Sequence, residues 1–336
     1  MKAWILVVAA VCGSAAVWAT AGGAQTEASP ELGKIAFWRE QRNRCAMFTV
    51  NADGTGLRPL TSWGFRDCVS PPVWSPDGRR IAFYANGALW VMSPDGSQRR
   101  ALGPASYSES GGPSPSWSSD GQSLAFTRNP DAHRNASAVF TIQIDGKRVR
   151  RLTPERFAEK PSWSPDGTRI AFTSDVTNEG ELFVMRPDGT RRKRLTRNKE
   201  IEESVAWSPD GGKLAYLEEA LYSINPDGSA RRLLTNAADY LSSFSWSPDG
   251  RRIAFGTEYD IAVMSAKGFG ERSLTKRGYN HDPSWSPDGR SVVCGYFERL
   301  EGPSMDGLRL LSVDGKSVRL LTHGTDSSPA WQPRPR

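Results

Sequence analysis

Histidine is nearly absent from this chain, with three in 336 residues, and cysteine is scarce, with four. So few imidazoles and thiols leave little material for a dedicated metal cage, and four cysteines cannot form a disulfide-dense framework. There is no Gly-x-Ser-x-Gly elbow, His-Glu-x-x-His pair, phosphate-binding glycine loop or Cys-x-x-Cys pair. The usual signatures of serine hydrolases, zinc peptidases, nucleotide-binding enzymes and thiol oxidoreductases are therefore missing. Long apolar runs are missing too: the stretch from Ala3 to Val11 is followed by Gly13 and Ser14 and falls short of the ~20 residues that a membrane span needs. Neither sign of charge dominates, since 43 Lys and Arg stand against 37 Asp and Glu for a net +6. Scattered arginines without a recognition helix offer nucleic acid only a nonspecific attraction, so no nucleic-acid partner is expected.

Tryptophan, glycine and proline are plentiful, and they are arranged periodically. The stretch from Pro161 to Phe172 reads as a short strand carrying Trp163, a Ser164-Pro165-Asp166-Gly167 turn, and a second strand, Ile170-Ala171-Phe172. Pro165 presets φ, Asp166 can bond its own backbone, and Gly167 takes a positive φ without steric cost. A third strand ends at Asp188-Gly189, and Lys193-Arg194-Leu195-Thr196 reads as an outer strand. The tryptophan recurs at Trp74, Trp117, Trp163, Trp207, Trp246, Trp285 and Trp331, with successive differences of 43, 46, 44, 39, 39 and 46 residues. Ile-Ala-Phe or a close variant also occurs seven times. A period near forty with paired Asp-Gly turns predicts an all-β, seven-bladed propeller of four-stranded antiparallel blades, in which these tryptophans pack between blades. The first repeat starts at its second strand, Gly33-Lys34-Ile35, and the last segment is a tryptophan strand, so the Trp331 strand is expected to close the first blade.

The repeat Pro-x-Trp-Ser-Pro-Asp-Gly-x-x-Ile-Ala-Phe, followed by Val-Met-x-x-Asp-Gly and Arg-x-Leu-Thr, resembles the TolB-type, WD-like propeller repeat over roughly residues 33 to 333. In that family the repeat is shared by periplasmic adaptor proteins, gating propellers of prolyl oligopeptidases and some polysaccharide-degrading enzymes. The resemblance thus implies an architecture rather than one activity.

Residues 1–24 read as an export signal, with Lys2 ahead of the apolar stretch and small residues around Ala19, Ala21 and Ala24. Residues 25–32 form a short linker, 33–333 the propeller and 334–336 a tail. The mature chain is expected in the periplasm, outside the cell or at the cell envelope, as a monomer with no transmembrane segment. That oxidising setting favours a disulfide between Cys45 and Cys68, while Cys294 occupies the Phe position of its repeat as a buried thiol.

Strand alternation puts both Asp-Gly turns of each repeat on one face and the longer, variable connections on the other, where binding is expected. Basic pairs such as Arg79-Arg80 and Arg251-Arg252 flank the turns, whereas acidic residues, among them Glu159, Glu202, Glu203, Asp282 and Asp326, lead into the inner strands on the loop side. Trp38 and Trp63 fall outside the repeat pattern in loop-face segments. The expected function is that of a non-catalytic exported scaffold without a cofactor. It would bind a protein or peptide at the channel mouth through Trp38, Trp63, Glu203, Asp282 and Asp326. The alternative is a propeller that binds or cleaves envelope polysaccharide, with a divalent metal at His281 and His323. Here the resemblance extends to pectin-fragment lyases that look like seven-bladed propellers with a histidine-rich metal site.

Overall fold

Each repeat opens with the turn its residues favour. In Ser164-Pro165-Asp166-Gly167 the Gly167 N–H donates to the Ser164 carbonyl at 2.9 Å, the Asp166 carboxylate accepts the Thr168 N–H at 3.0 Å, and the Ser164 hydroxyl accepts the Arg169 N–H at 2.9 Å. Gly167 lies at φ +70°, and a Cβ there would stand 2.4 Å from Ser119 Oγ of the preceding repeat, so only glycine satisfies both constraints. Equivalent bonds form around Ser75, Ser118, Ser208, Ser247 and Ser286.

These turns organise seven four-stranded antiparallel sheets arranged as a propeller. The computed structural model describes residues 32–65, 70–104, 114–129, 137–154, 158–175, 180–198, 202, 204–235, 241–276, 278–298 and 306–334. Blade 1 takes its inner strand from the other end of the sequence: Thr325–Trp331 pairs with Lys34–Gln41, which is followed by Arg44–Asn51 and Arg58–Pro59. The expected closure by the Trp331 strand is what the sheet shows. Blades 2 to 7 follow in chain order, with inner strands Val73–Trp74, Ser116–Trp117, Ala158–Trp163, Ser204–Trp207, Ser243–Trp246 and Tyr279–Trp285. Each inner strand touches the next, and Thr325–Trp331 meets Val73–Trp74 to complete the circle.

The core is a ring of seven clusters, one at each junction between blades. The Ile-Ala-Phe strand explains why. Its alternation sends the bulky pair toward the preceding blade and the alanine toward the following one. Ala36 thus receives Ile81 and Phe83, Ala82 receives Leu124 and Phe126, and Ala171 receives Leu214 and Tyr216. Blade 7, with Val292-Val293-Cys294 in place of Ile-Ala-Phe, sets Val293 against Ile35 and Phe37 and its smaller Val292 and Cys294 against Ala254; each buried Ile or Phe contributes roughly 1.5–3 kcal/mol.

The other motif residues also join elements. The indole N–H groups of Trp74, Trp117, Trp207, Trp246 and Trp285 donate to carbonyls on the preceding blade's inner strand, at 2.9–3.3 Å. The threonine of Leu-Thr accepts a third-strand N–H within its own blade, as Thr196 does from Leu182 and Thr275 from Ile261, both at 2.9 Å. On the turn face Arg252 donates to the Gly289 carbonyl of the next blade at 2.7 Å and lies 4.9 Å from the Trp285 ring, while Arg169 lies 4.7 Å from the Trp207 ring. Part of the basic charge beside the turns therefore clamps neighbouring blades.

Candidate functional site

Two residues expected at the loop-face surface belong to the interior. Trp38 continues the alternation set by Ala36, so its side chain faces blade 2 and is 1% exposed. Its indole N–H donates to the Ser70 carbonyl at 2.9 Å, and its ring meets Phe65 and Phe83 edge-on. Asp326 is 0% exposed and takes both arms of the Arg39 guanidinium, at 2.6 and 2.7 Å, across the closing ladder of blade 1. Burial pushes this carboxyl up, against the pull of Arg39 and Thr322. Neither residue offers a surface to a partner.

Trp63 does, at 37% exposed, with its ring 5.8 Å from that of Phe48. Asp282 is partly exposed. Its main chain sits at φ +53° in a bulge between His281 and Ser284, and its carboxylate accepts from Ser328 Oγ and pairs with His281 Nδ1, each at 3.1 Å. Burial raises its pKa, but the bonds from His281 and Ser328 outweigh that and hold the carboxyl below the usual range. His281 stacks on Phe297 with ring centres 4.8 Å apart, directly over Gly295, where a Cβ would lie 2.4 Å from His281 Cε1. His323 is exposed. Among the described residues no group of three or more His, Cys, Asp or Glu side chains is arranged to hold a metal ion, so the two histidines and two aspartates are not gathered into one centre. Glu203 and Cys68 lie outside the described residues. Cys45 is disulfide-bonded, and Cys294 is a free, buried thiol whose pKa burial pushes up to about 12.

A buried acidic knot joins blades 4 and 5. Glu181 is ion-paired with Arg194 and accepts from Thr196 Oγ1 at 2.8 Å; Glu218 pairs with Arg231 at 2.6 Å and with Asn198. Glu202, at the entry to the blade 5 inner strand, is 1% exposed, and among the described residues neither carboxylate oxygen has a hydrogen-bond partner within bonding geometry. Burial, with the charges of Glu181 and Glu218 nearby, pushes its pKa up to about 7.

A second feature lies on the loop face of blade 7. There an open depression of about 340 Å³ is lined, among the described residues, by Tyr279, Phe297, Glu298 and Asp306. Tyr279 starts the blade 7 inner strand opposite Phe297, which ends the next strand. Tyr259, 45% exposed in the tight blade 6 hairpin, stands edge-on to Tyr279 at 5.0 Å. None of these residues belongs to the repeat motif. The available signal was an aromatic, Tyr259, in a two-strand connection where small turn residues are usual.

The TolB beta propeller domain family matches residues 88–335. Among curated relatives, the Tol-Pal system protein TolB of Thioalkalivibrio sulfidiphilus (strain HL-EbGR7) is 40% identical over 55 residues, which is 15% of this chain and 13% of that protein. Among solved structures, TolB from Acinetobacter baumannii aligns with a TM-score of 0.57 at 23% identity, covering 90% of this chain and 67% of that one. An oligogalacturonate lyase in complex with manganese aligns with a TM-score of 0.66 at 16% identity, covering 84% of this chain and 86% of that one. At such identities the structural likenesses carry the fold alone.

Proposed function

We propose that this chain, which belongs to the TolB beta propeller domain family, is an exported scaffold that docks a protein or peptide on its loop face. The observation that carries this reading is the pair of exposed aromatic side chains on that face, Trp63 and Tyr259, held by a rigid ring of blades. Tryptophan and tyrosine are the side chains most enriched where binding energy concentrates, because they present large apolar area at little entropic cost. The curated relative matched over 55 residues carries the name of a Tol-Pal system protein, which supports an envelope setting and a protein partner. In this reading residues 1–24, outside the described residues, direct export, and the mature chain from Gln25 works in the periplasm or beyond it. A bridge from Cys45 to Cys68 would pin the loop that follows Trp63.

Affinity capture from cross-linked envelope extract tests the reading, with the chain from Gln25 compared with a Trp63→Ala, Tyr259→Ala variant. A discrete protein should be retained by the first and reduced at least about tenfold by the second, a loss of roughly 1.4 kcal/mol or more, with the melting temperature unchanged. Equal retention by both, or retention by neither, would overturn it.

A further inference from the structure

We propose that the cleft between blades 3 and 4 on the turn face is a receptor for a single phosphoryl group, carried on a soluble ester or on a lipid headgroup. One position in the repeat opens it. The third-strand residue paired with the alanine of Ile-Ala-Phe is Val91 in blade 2, Val184 in blade 4 and Val263 in blade 6, each buried against the following blade. In blade 3 that place, opposite Ala125, is held by Thr141, which is only half-buried. A hydroxyl keeps its hydration where a valine methyl would join the core. A depression of about 280 Å³ lies there, its lining including Ser123, Thr141, Gln143, Arg148 and Arg150 of blade 3 and Pro187 of blade 4. The segments that carry them from both third strands outward, 137–154 and 180–198, are described throughout. The outer strand adds the charge. Its residue opposite this third-strand position is basic in every blade: Arg58, Arg100, Arg150, Lys193, Arg232, Arg272 and Arg319. In three blades that arginine closes the junction by donating to a turn carbonyl of the next blade, Arg58 to Pro94 at 3.5 Å, Arg272 to Val313, and Arg319 to Asp53 at 3.1 Å. Arg150 makes no such bond to blade 4. The side chains of Arg148 and Arg150 form neither a hydrogen bond nor an ion pair among the described residues, and both line the cleft.

The lining is rich in donors and holds no Asp or Glu. Each guanidinium is a planar fork of N–H groups, and the hydroxyls of Ser123 and Thr141 and the Gln143 carboxamide add to them. One fork fills the two oxygens of a carboxylate, whereas a phosphoryl group has the oxygens and the charge to engage both forks and a hydroxyl. The acids nearby are already bonded: Asp145 accepts the Lys147 N–H at 2.8 Å, and Asp188 accepts the N–H and O–H of Thr190 at 2.9 and 2.6 Å. Thr190, followed by the charges of Arg150 and Arg186, holds Asp188 below the usual carboxylate range, so Arg186 places a further positive charge beside the cleft. Ladder pairs of Ser123 with Gln143 and Thr141 with Arg150 fix the backbone under the site before anything binds, which limits the freedom lost by a small ligand.

The test titrates glycerol 1-phosphate into the chain from Gln25 and follows the NMR signals of the Thr141 methyl and the Gln143 side-chain amide, with acetate at equal ionic strength as control. Saturable shifts are expected with the phosphate ester, and binding at least about tenfold weaker with acetate. Arg148→Gln and Arg150→Gln should each weaken binding severalfold. Thr141→Val, which restores the side chain of blades 2, 4 and 6, should do the same while the melting temperature stays at or above that of the parent. Arg251→Gln, on the same face but away from the cleft, should leave the affinity unchanged. Cosedimentation with phosphatidylglycerol vesicles, against phosphatidylcholine, separates the two sources. Retention that is lost in Arg150→Gln assigns the group to a lipid headgroup, and a response to glycerol 1-phosphate without retention assigns it to a soluble ester. Shifts without saturation, equal responses to acetate and the ester, or indifference to Arg150→Gln would overturn the proposal. The cleft lies on the face opposite Trp63 and Tyr259, so its failure would leave docking on the loop face untouched.

Discussion

Gly167 is under two constraints, a backbone at φ +70° and a neighbour, Ser119 Oγ, 2.4 Å from where a Cβ would sit. Gly167→Ala should therefore destabilise the fold by about 1–3 kcal/mol in urea denaturation, and in a Ser119→Ala background the loss should shrink toward the backbone cost of about 1–2 kcal/mol. Equal losses in both backgrounds would mean that the contact between turns carries no strain. Glu202 presents the opposite case, a carboxyl whose pKa is higher in the fold than its unfolded value. The folded state holds that proton more tightly, so the contribution is most favourable below about pH 4.5 and is lost as the pH rises to about 7. Glu202→Gln removes the penalty, and its stability relative to the parent should climb between pH 5 and pH 8 by up to about 3 kcal/mol. A difference that is flat with pH would contradict this assignment. The turn glycine could be named from the sequence because its constraint is local. Glu202 was visible only as one acid among several, since its burial depends on Glu181 and Glu218 arriving from other strands.

The closing strand Thr325–Trp331 is the element on which the ring depends, and it carries a buried ion pair, Arg39 with Asp326. Removing one partner strands the other charge inside, so Asp326→Ala should destabilise the protein by about 3–5 kcal/mol. Replacing both, as Arg39→Met with Asp326→Leu, should restore much of that loss. Denaturant midpoints decide it, and a double variant no more stable than Asp326→Ala would show that the charges do more than fill space. At this scale the sequence was informative wherever a strand follows the repeat, because Ile-Ala-Phe, Trp and Leu-Thr each fix one contact in the blade. It failed where a strand runs past the repeat. Trp38 was read as a loop residue, yet Lys34–Gln41 continues beyond Phe37, and its period of two turns the indole into the core.

For the whole molecule, the repeated turns act together in acid. Asp120 and Asp210 are held below the usual carboxylate range by the hydroxyls of Ser118 and Ser208 and by nearby backbone N–H groups, and Asp95 and Asp188 by Ser97 and Thr190. Each binds its proton more readily after unfolding, so its stabilisation is present above the unfolded value near 4 and is lost as the pH falls through the lower folded values. Thermal melts should show a steep loss of stability below about pH 4, and a melting temperature unchanged from pH 6 to pH 3 would contradict it. The ring and its closure were legible in the sequence because spacing and turn chemistry repeat seven times. The loop face was legible only as a direction, since its aromatic and acidic residues meet through pairings such as Tyr279 with Phe297 that no repeat announces. Docking on the loop face is tested most directly by a photo-cross-linking residue placed singly at Trp63 and Tyr259, and, on the opposite face, at Asp95 and Asp188. One discrete adduct in envelope extract is expected from the first pair and none from the second; adducts from the turn face alone would contradict docking on the loop face.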